Sequence, residues 1–242
     1  MDNFLLTLLI ALLPAFGNFL GGIIAELFYI SDKALSLSLH MATGILIAVV
    51  GIEIMPKALD VTLPWAVIFA FMVGGVFFTS LNFVQKIFSG TSRQETNVSS
   101  PWLIYIGVST DLLSDGLMIG AGSALSTKLG IILALGQVLG DLPEGFAMSA
   151  TLKKYEYSAM ARFLLLLCFA IPVMFGAAFG YLVLQNAPDI FKYIVLAFTA
   201  GILLSVAVEE MLTEAHQSFE PVTGTVLLLA GFSLFALVTA YL

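Results

Sequence analysis

Histidine occurs only twice in this chain, cysteine once, and lysine and arginine together nine times in 242 residues. Each shortage excludes something. The lone Cys168 cannot form an internal disulfide, so a disulfide-stapled exported domain is out. Charged side chains make up 10% of the chain, where a soluble domain carries about a quarter. So few polar groups cannot cover a surface that faces water. Scattered basic residues also give no cationic patch, and no nucleic acid is expected as a partner. The stretch MDNFLLTLLIALLPAFGNFLGGIIAELFY holds no Lys or Arg, so it lacks the basic start of a signal peptide. It is expected to be a retained spanning helix.

What the chain has is apolar length. Apolar side chains make up 60% of it, and a spanning helix needs about 20 mostly apolar residues. Eight segments qualify: 3–29, 34–57, 63–86, 101–125, 128–151, 159–185, 190–214 and 221–241. The breaks between them are short and polar, and the longest, 87–100, reads as a flexible cytoplasmic loop. The expectation is an all-α integral membrane protein with eight transmembrane helices and one polytopic domain, 1–242. Basic residues favour the cytoplasmic side. Lys33, Lys86, Arg93, Lys153, Lys154 and Arg162 fall on one side, against Lys57, Lys128 and Lys192 on the other. Both termini are therefore expected outside the cytoplasm, in a plasma or inner cell membrane.

The sequence repeats itself. DLLSDG (111–116) matches GDLPEG (140–145) in acid, apolar, spacer, acid and glycine. GIEIMPKA (51–58) matches VEEMLTEA (208–215), and small-residue runs recur in the first and sixth segments as GNFLGG and GAAFG. This predicts a 3+2+3 arrangement, with segments 1–3 repeated inverted as 6–8 around central segments 4 and 5. Inverted repeats around a midplane site are a transporter feature.

A carboxylate in hydrocarbon costs about 2.5 kcal/mol or more at mid-helix, so it marks a cavity, a partner or an ion. Asp111 and Asp115 lie one helical turn apart and share a face, as do Gln137, Asp141 and Glu144. Neither central segment has a Lys or Arg in its core. Four acids so placed need protons or a cation among them, and clustered carboxylate and amide oxygens suit divalent metals. Pro143 cannot donate a backbone hydrogen bond, which frees the Leu139 carbonyl as a further oxygen ligand. Gly116 and Gly145 are expected to let the two motif helices approach each other. Glu53, Glu209, Glu210, Glu214, His216 and His40 are candidates for the entrance and exit path. Two other readings of the acids are open. One is an intramembrane aspartyl hydrolase using an acid from each helix; the other is an ion-coupled carrier of a small organic solute.

These residues resemble those of the ZIP (Zrt/Irt-like) metal transporters, as a divergent bacterial-type member. GDLPEG is similar to the family's fifth-segment motif from Asp141 onward, DLLSDG to the fourth, VEEMLTEAH to the seventh-segment acids, and GIEIMPKAL to the end of the second. The resemblance implies eight spans, termini outside, a homodimer, and uptake of a divalent metal as substrate rather than any enzyme activity or cofactor. In place of the family's leading histidines stand Asp111 and Gly140. Leu112 stands where the resemblance implies an asparagine, and segment 159–185 has no acid, which points to one bound ion. The remaining donors are all oxygen, which widens the choice from zinc to Mn²⁺, Mg²⁺, Fe²⁺, Co²⁺ or Cd²⁺.

Overall fold

A computed structural model describes residues 2–28, 31–88, 101–216 and 221–241. Most of the expected 87–100 loop, from residue 89 on, lies outside them. The described residues form eight helices and no strand. In chain order these are α1 (Asp2–Leu27), α2 (Asp32–Leu59), α3 (Pro64–Phe88) and α4 (Pro101–Leu125). They continue as α5 (Thr127–Lys154), α6 (Ala159–Leu184), α7 (Asp189–His216) and α8 (Pro221–Tyr241). Seven of the helices are long and apolar enough to cross a membrane. The exception is α4, whose middle carries Ser109, Thr110, Asp111, Ser114 and Asp115.

Helices suit hydrocarbon because each satisfies its own backbone groups. Their starts are set by local chemistry. The Ser31, Ser126 and Ser158 hydroxyls cap α2, α5 and α6, each accepting from a backbone N–H three residues on. α5 runs as one helix through Pro143. α6 breaks at Phe169, between Ala159–Cys168 and Ala170–Leu184.

Helices α1, α4, α5 and α6 pack on one another, chiefly α1 on α5 and α4 on α6. α2 packs on α8 and α3 on α7, and the α2–α5 and α4–α7 contacts join the two groups. The apolar stretches of α2 and α5 are 61% buried, whereas those of α3 and α8 are only 17% buried and present their side chains outward.

The first three and last three helices begin at matched positions. Asp2 and Ala159, Asp32 and Asp189, and Pro64 and Pro221 are each 157 residues apart. α2 and α7 also match internally. Each has 17 α-helical residues, a six-residue π turn (Val49–Ile54 or Val206–Met211) and a five-residue end. Pro56 follows the first π turn but Thr213 follows the second, so proline is not their common cause. Close backbone contacts obey the same offset. Gly44 of α2 meets the Leu228 carbonyl of α8, as Gly201 of α7 meets the Phe71 carbonyl of α3. Gly231 meets the Met41 carbonyl, as Gly74 meets that of Phe198. A β-carbon at any of the four would collide with backbone.

The motif glycines behave differently from expectation. Gly145 of α5 lies against the Asn18 carbonyl of α1, and Gly116 of α4 against the Val173 carbonyl of α6. They press each motif helix onto its outer neighbour, not onto the other motif helix.

Candidate metal centre

α4 places Asp111 and Asp115 one turn apart, and α5 places Gln137, Asp141 and Glu144 along one stripe facing them. The structure brings all five together. One oxygen each from Asp111, Asp141 and Glu144 lies within 4.8 Å of the others. Oxygens bound to one divalent ion at roughly 2.0–2.6 Å cannot lie more than about 4–5 Å apart, so this spacing fits a single ion. Gln137 donates its amide Nε2 to the Asp115 carboxylate, closing the lower rung between the helices. Asp111, Asp115 and Asp141 are buried, Gln137 is fully buried and Glu144 half-buried.

Five oxygens here have no partner and no exposure: Asp111 Oδ1, Asp115 Oδ2, Gln137 Oε1, Asp141 Oδ2 and Glu144 Oε2. A buried polar atom left unmade costs about 1–3 kcal/mol. All five belong to side chains that meet where α4 and α5 pack together, which makes the place rich in buried oxygen lone pairs. The ion pairs among the described residues, Lys57–Glu53, Lys153–Glu26, Arg162–Glu26 and Lys192–Asp189, all leave the four acids out.

The surroundings offer access. A cavity of about 160 Å³ opens onto Asp111 between α3, α4 and α7, walled by Phe77, Phe78, Phe198, Thr110 and Ser114. Glu210, on the α7 π turn, lies near enough for its charge to reach Asp111 and Glu144. It accepts from Asn82 of α3 at 2.8 Å, and Glu209 accepts from Thr79 at 3.1 Å. Glu209, Glu210 and Glu214 are exposed. Glu53 sits apart, buried on the α2 π turn and paired with Lys57. His40 and His216 meet each other rather than the acids. A Cβ on Gly140 would point at Leu46 of α2, only 2.9 Å from its Cδ2.

Two features went unread in the sequence. Asn18 of α1 is fully buried with both side-chain polar atoms unpartnered. A single polar residue amid apolar ones gave no spacing to notice. Glu26 takes a two-pronged contact from Arg162, at 2.7 Å to each oxygen, and a hydrogen bond from Ser149 at 2.7 Å. Those partners lie more than a hundred residues away, beyond any local pattern.

The fold and the buried acids together define a multi-pass helical membrane protein with a cluster of carboxylates between two of its helices. The ZIP Zinc transporter family model matches residues 89–239, well over half of the chain. The chain therefore belongs to the ZIP family. It is 29% identical over 166 residues to zinc transporter ZIP10 of Mus musculus and to zinc transporter ZIP10 of Homo sapiens. Those matches take in 63% of this chain and 20% of each relative, so the chain spans about a fifth of their length.

Proposed function

We propose that this protein carries divalent metal ions across a cell membrane, toward the cytoplasm, by alternating access to the α4–α5 cage. The carrying observation is the convergence of Asp111, Asp141 and Glu144 oxygens within 4.8 Å, with unpartnered atoms on all four acids. Asp111, Asp141 and Glu144 hold the ion. Asp115 and Gln137 complete the shell with a carboxylate and a neutral amide oxygen, and the Leu139 carbonyl, left without an N–H by Pro143, supports it. An oxygen cage accepts hard ions such as Mn²⁺ readily, and the names of the ZIP10 relatives add Zn²⁺ to the substrates. Metal is cargo here, and the protein acts as a transporter rather than an enzyme.

The shared 157-residue offset and the paired glycine contacts support a 3+2+3 plan, with α1–α3 and α6–α8 as inverted repeats around α4 and α5. Three plus two intervening spans invert the second copy, which gives a site that two related halves expose in turn. Exposed Glu209 and Glu210 beside the Asp111 cavity suit a water-lined path, since carboxylates facing lipid are costly. Both termini outside the cytoplasm and a homodimer complete the reading.

Proteoliposome uptake of Mn²⁺ and Zn²⁺ tests it. Replacing Asp141 and Glu144 together by alanine abolishes uptake of Mn²⁺ and Zn²⁺ on this reading; undiminished uptake sinks it. Absence of metal uptake by the unaltered protein would favour a hydrolase or an organic-solute carrier.

A further inference from the structure

The chain has two histidines, and the fold brings them together from positions 40 and 216. Their ring centroids are 5.1 Å apart at an interplanar angle of 84°. His40 sits two turns into α2, and His216 is the last residue of α7. Neither ring touches the acid cage, so the pair is a separate feature.

The His40 environment is that of a metal ligand. Its Nδ1 lies 2.8 Å from the Ser36 carbonyl. A carbonyl only accepts, so Nδ1 carries a proton and Nε2 is the ring nitrogen left for a ligand-type lone pair. That Nε2 is buried with no partner, in a side chain only 2% exposed. Ligating histidines characteristically fix one ring nitrogen on a carbonyl or carboxylate and leave the other for the ion. The position is held firmly, because the Ser36 hydroxyl donates to the Ala215 carbonyl at 2.6 Å and ties α2 to the end of α7. Gly224 of α8 covers the His40 ring, where any β-carbon would collide with it. Two imidazoles on one tetrahedral ion, with metal–nitrogen bonds of ~2.0–2.1 Å, keep their ring centres roughly 5 Å apart. That is the separation found.

The geometry points to a second metal site, in which His40 Nε2 and the His216 ring bind one borderline divalent ion such as Zn²⁺ or Co²⁺. This deepens the transport reading and rests on it. Passage needs sites that bind well enough to receive the ion and weakly enough to release it. Two protein ligands, with water at the other positions, provide such a site. The exposed His216 gives the ion a way to bulk solvent, while the buried His40 takes it from the interior. The oxygen cage and the imidazole pair then differ in preference. The cage accepts hard ions, and the pair retains those that favour nitrogen.

X-ray absorption spectra of tag-free protein loaded with Zn²⁺ test this, because no other imidazole exists in the chain. The unaltered protein is expected to show imidazole scattering in addition to oxygen ligation. His216→Gln, at an exposed position, and His40→Gln are each expected to remove that signal. Each should also weaken the Zn²⁺ binding it reports by at least the roughly 10–100-fold that loss of a supporting partner costs. In Asp141→Asn/Glu144→Gln protein the imidazole signal persists while the oxygen-bound ion is lost. Imidazole scattering that survives both histidine variants overturns the proposal. Oxygen-only ligation in the unaltered protein overturns it too, and leaves the cage reading standing. Imidazole-bound Zn²⁺ with full oxygen ligation in the acid variant supports the pair but overturns the cage. Failure to bind Zn²⁺ at all overturns both.

Discussion

Gln137 of α5 donates its side-chain amide to the Asp115 carboxylate of α4, a direct hydrogen bond between the two motif helices that fixes the amide's orientation. Because Nε2 is used there, Oε1 is left buried and unpartnered, the neutral oxygen that the proposed function gives to a cation. Gln137→Leu removes both functions. It leaves the buried Asp115 without a donor and is expected to cost about 1–3 kcal/mol of stability. Gln137→Glu keeps the shape but adds a negative charge to the cage. It is expected to destabilise the metal-free protein, with the deficit shrinking when Mn²⁺ is added. Thermal unfolding in detergent, with and without Mn²⁺, measures both. A Glu variant whose deficit ignores Mn²⁺ would separate Gln137 from the ion.

The tight helix pairs make a second prediction. A Cβ at Gly145 meets the Asn18 carbonyl, and one at Gly116 meets that of Val173. Backbone cannot swing aside as a side chain does, so Gly145→Ala and Gly116→Ala are each expected to cost about 1–3 kcal/mol. Gly107 has nothing within 4 Å of its Cβ position. Gly107→Ala is therefore expected to hold stability or raise it by up to about 1 kcal/mol. Unfolding midpoints that rank the three alike would remove the steric argument.

Much of the fold was legible in the sequence because hydrocarbon is a strict solvent. It demands long apolar helices, and seven of the eight segments follow from that demand; α4 was legible as a helix between two breaks although its middle is polar. The meeting of Asp111, Asp115, Gln137, Asp141 and Glu144 was legible because they repeat at helical spacing in a medium where acids are costly. The repeat was legible in fragments, as GIEIMPKA beside VEEMLTEA. Its extent was not, because most paired positions differ in residue type and agree only in where helices start and where the π turns fall. The destination of Gly116 and Gly145 was not legible either. A small residue tells that something comes close, and only the packing tells what. Likewise nothing near Leu59 or Ala197, the offset partners of His216 and His40, suggested that the two histidines meet. Nor did the sequence tell that Leu46 of α2 packs against the open side of Gly140.

The Glu26–Arg162 contact ties the end of α1 to the start of α6, with Ser149 and Lys153 of α5 joining it. Arg162 also donates to the Tyr157 carbonyl. Arg162→Ala is expected to destabilise the protein by about 1–3 kcal/mol, with Lys153 at 3.5 Å as the remaining cation. Arg162→Lys is expected to recover little, because an ammonium cannot serve both oxygens in parallel. Chemical unfolding followed by tryptophan fluorescence compares the three proteins. Full recovery by lysine would reduce the contact to simple charge.

On the proposed function, metal binding is expected to stabilise the fold. A ligand that binds only the folded state adds about 2.7 kcal/mol at one hundred times its dissociation constant. Mn²⁺ is the sharper probe, because it favours oxygen donors and has little call on the imidazole pair. The unaltered protein is expected to gain stability with rising Mn²⁺ until the cage saturates. Asp141→Asn/Glu144→Gln should lose that gain, since it removes the two α5 carboxylates that complete the 4.8 Å cluster with Asp111. The same variant is expected to be more stable than the unaltered protein without metal, because it removes charge from a place where nothing balances it. His216→Gln should keep the Mn²⁺ gain intact. Differential scanning fluorimetry over a Mn²⁺ series reads all three. A Mn²⁺ gain that survives in the acid variant, or vanishes in the histidine variant, would place the ion elsewhere than between α4 and α5.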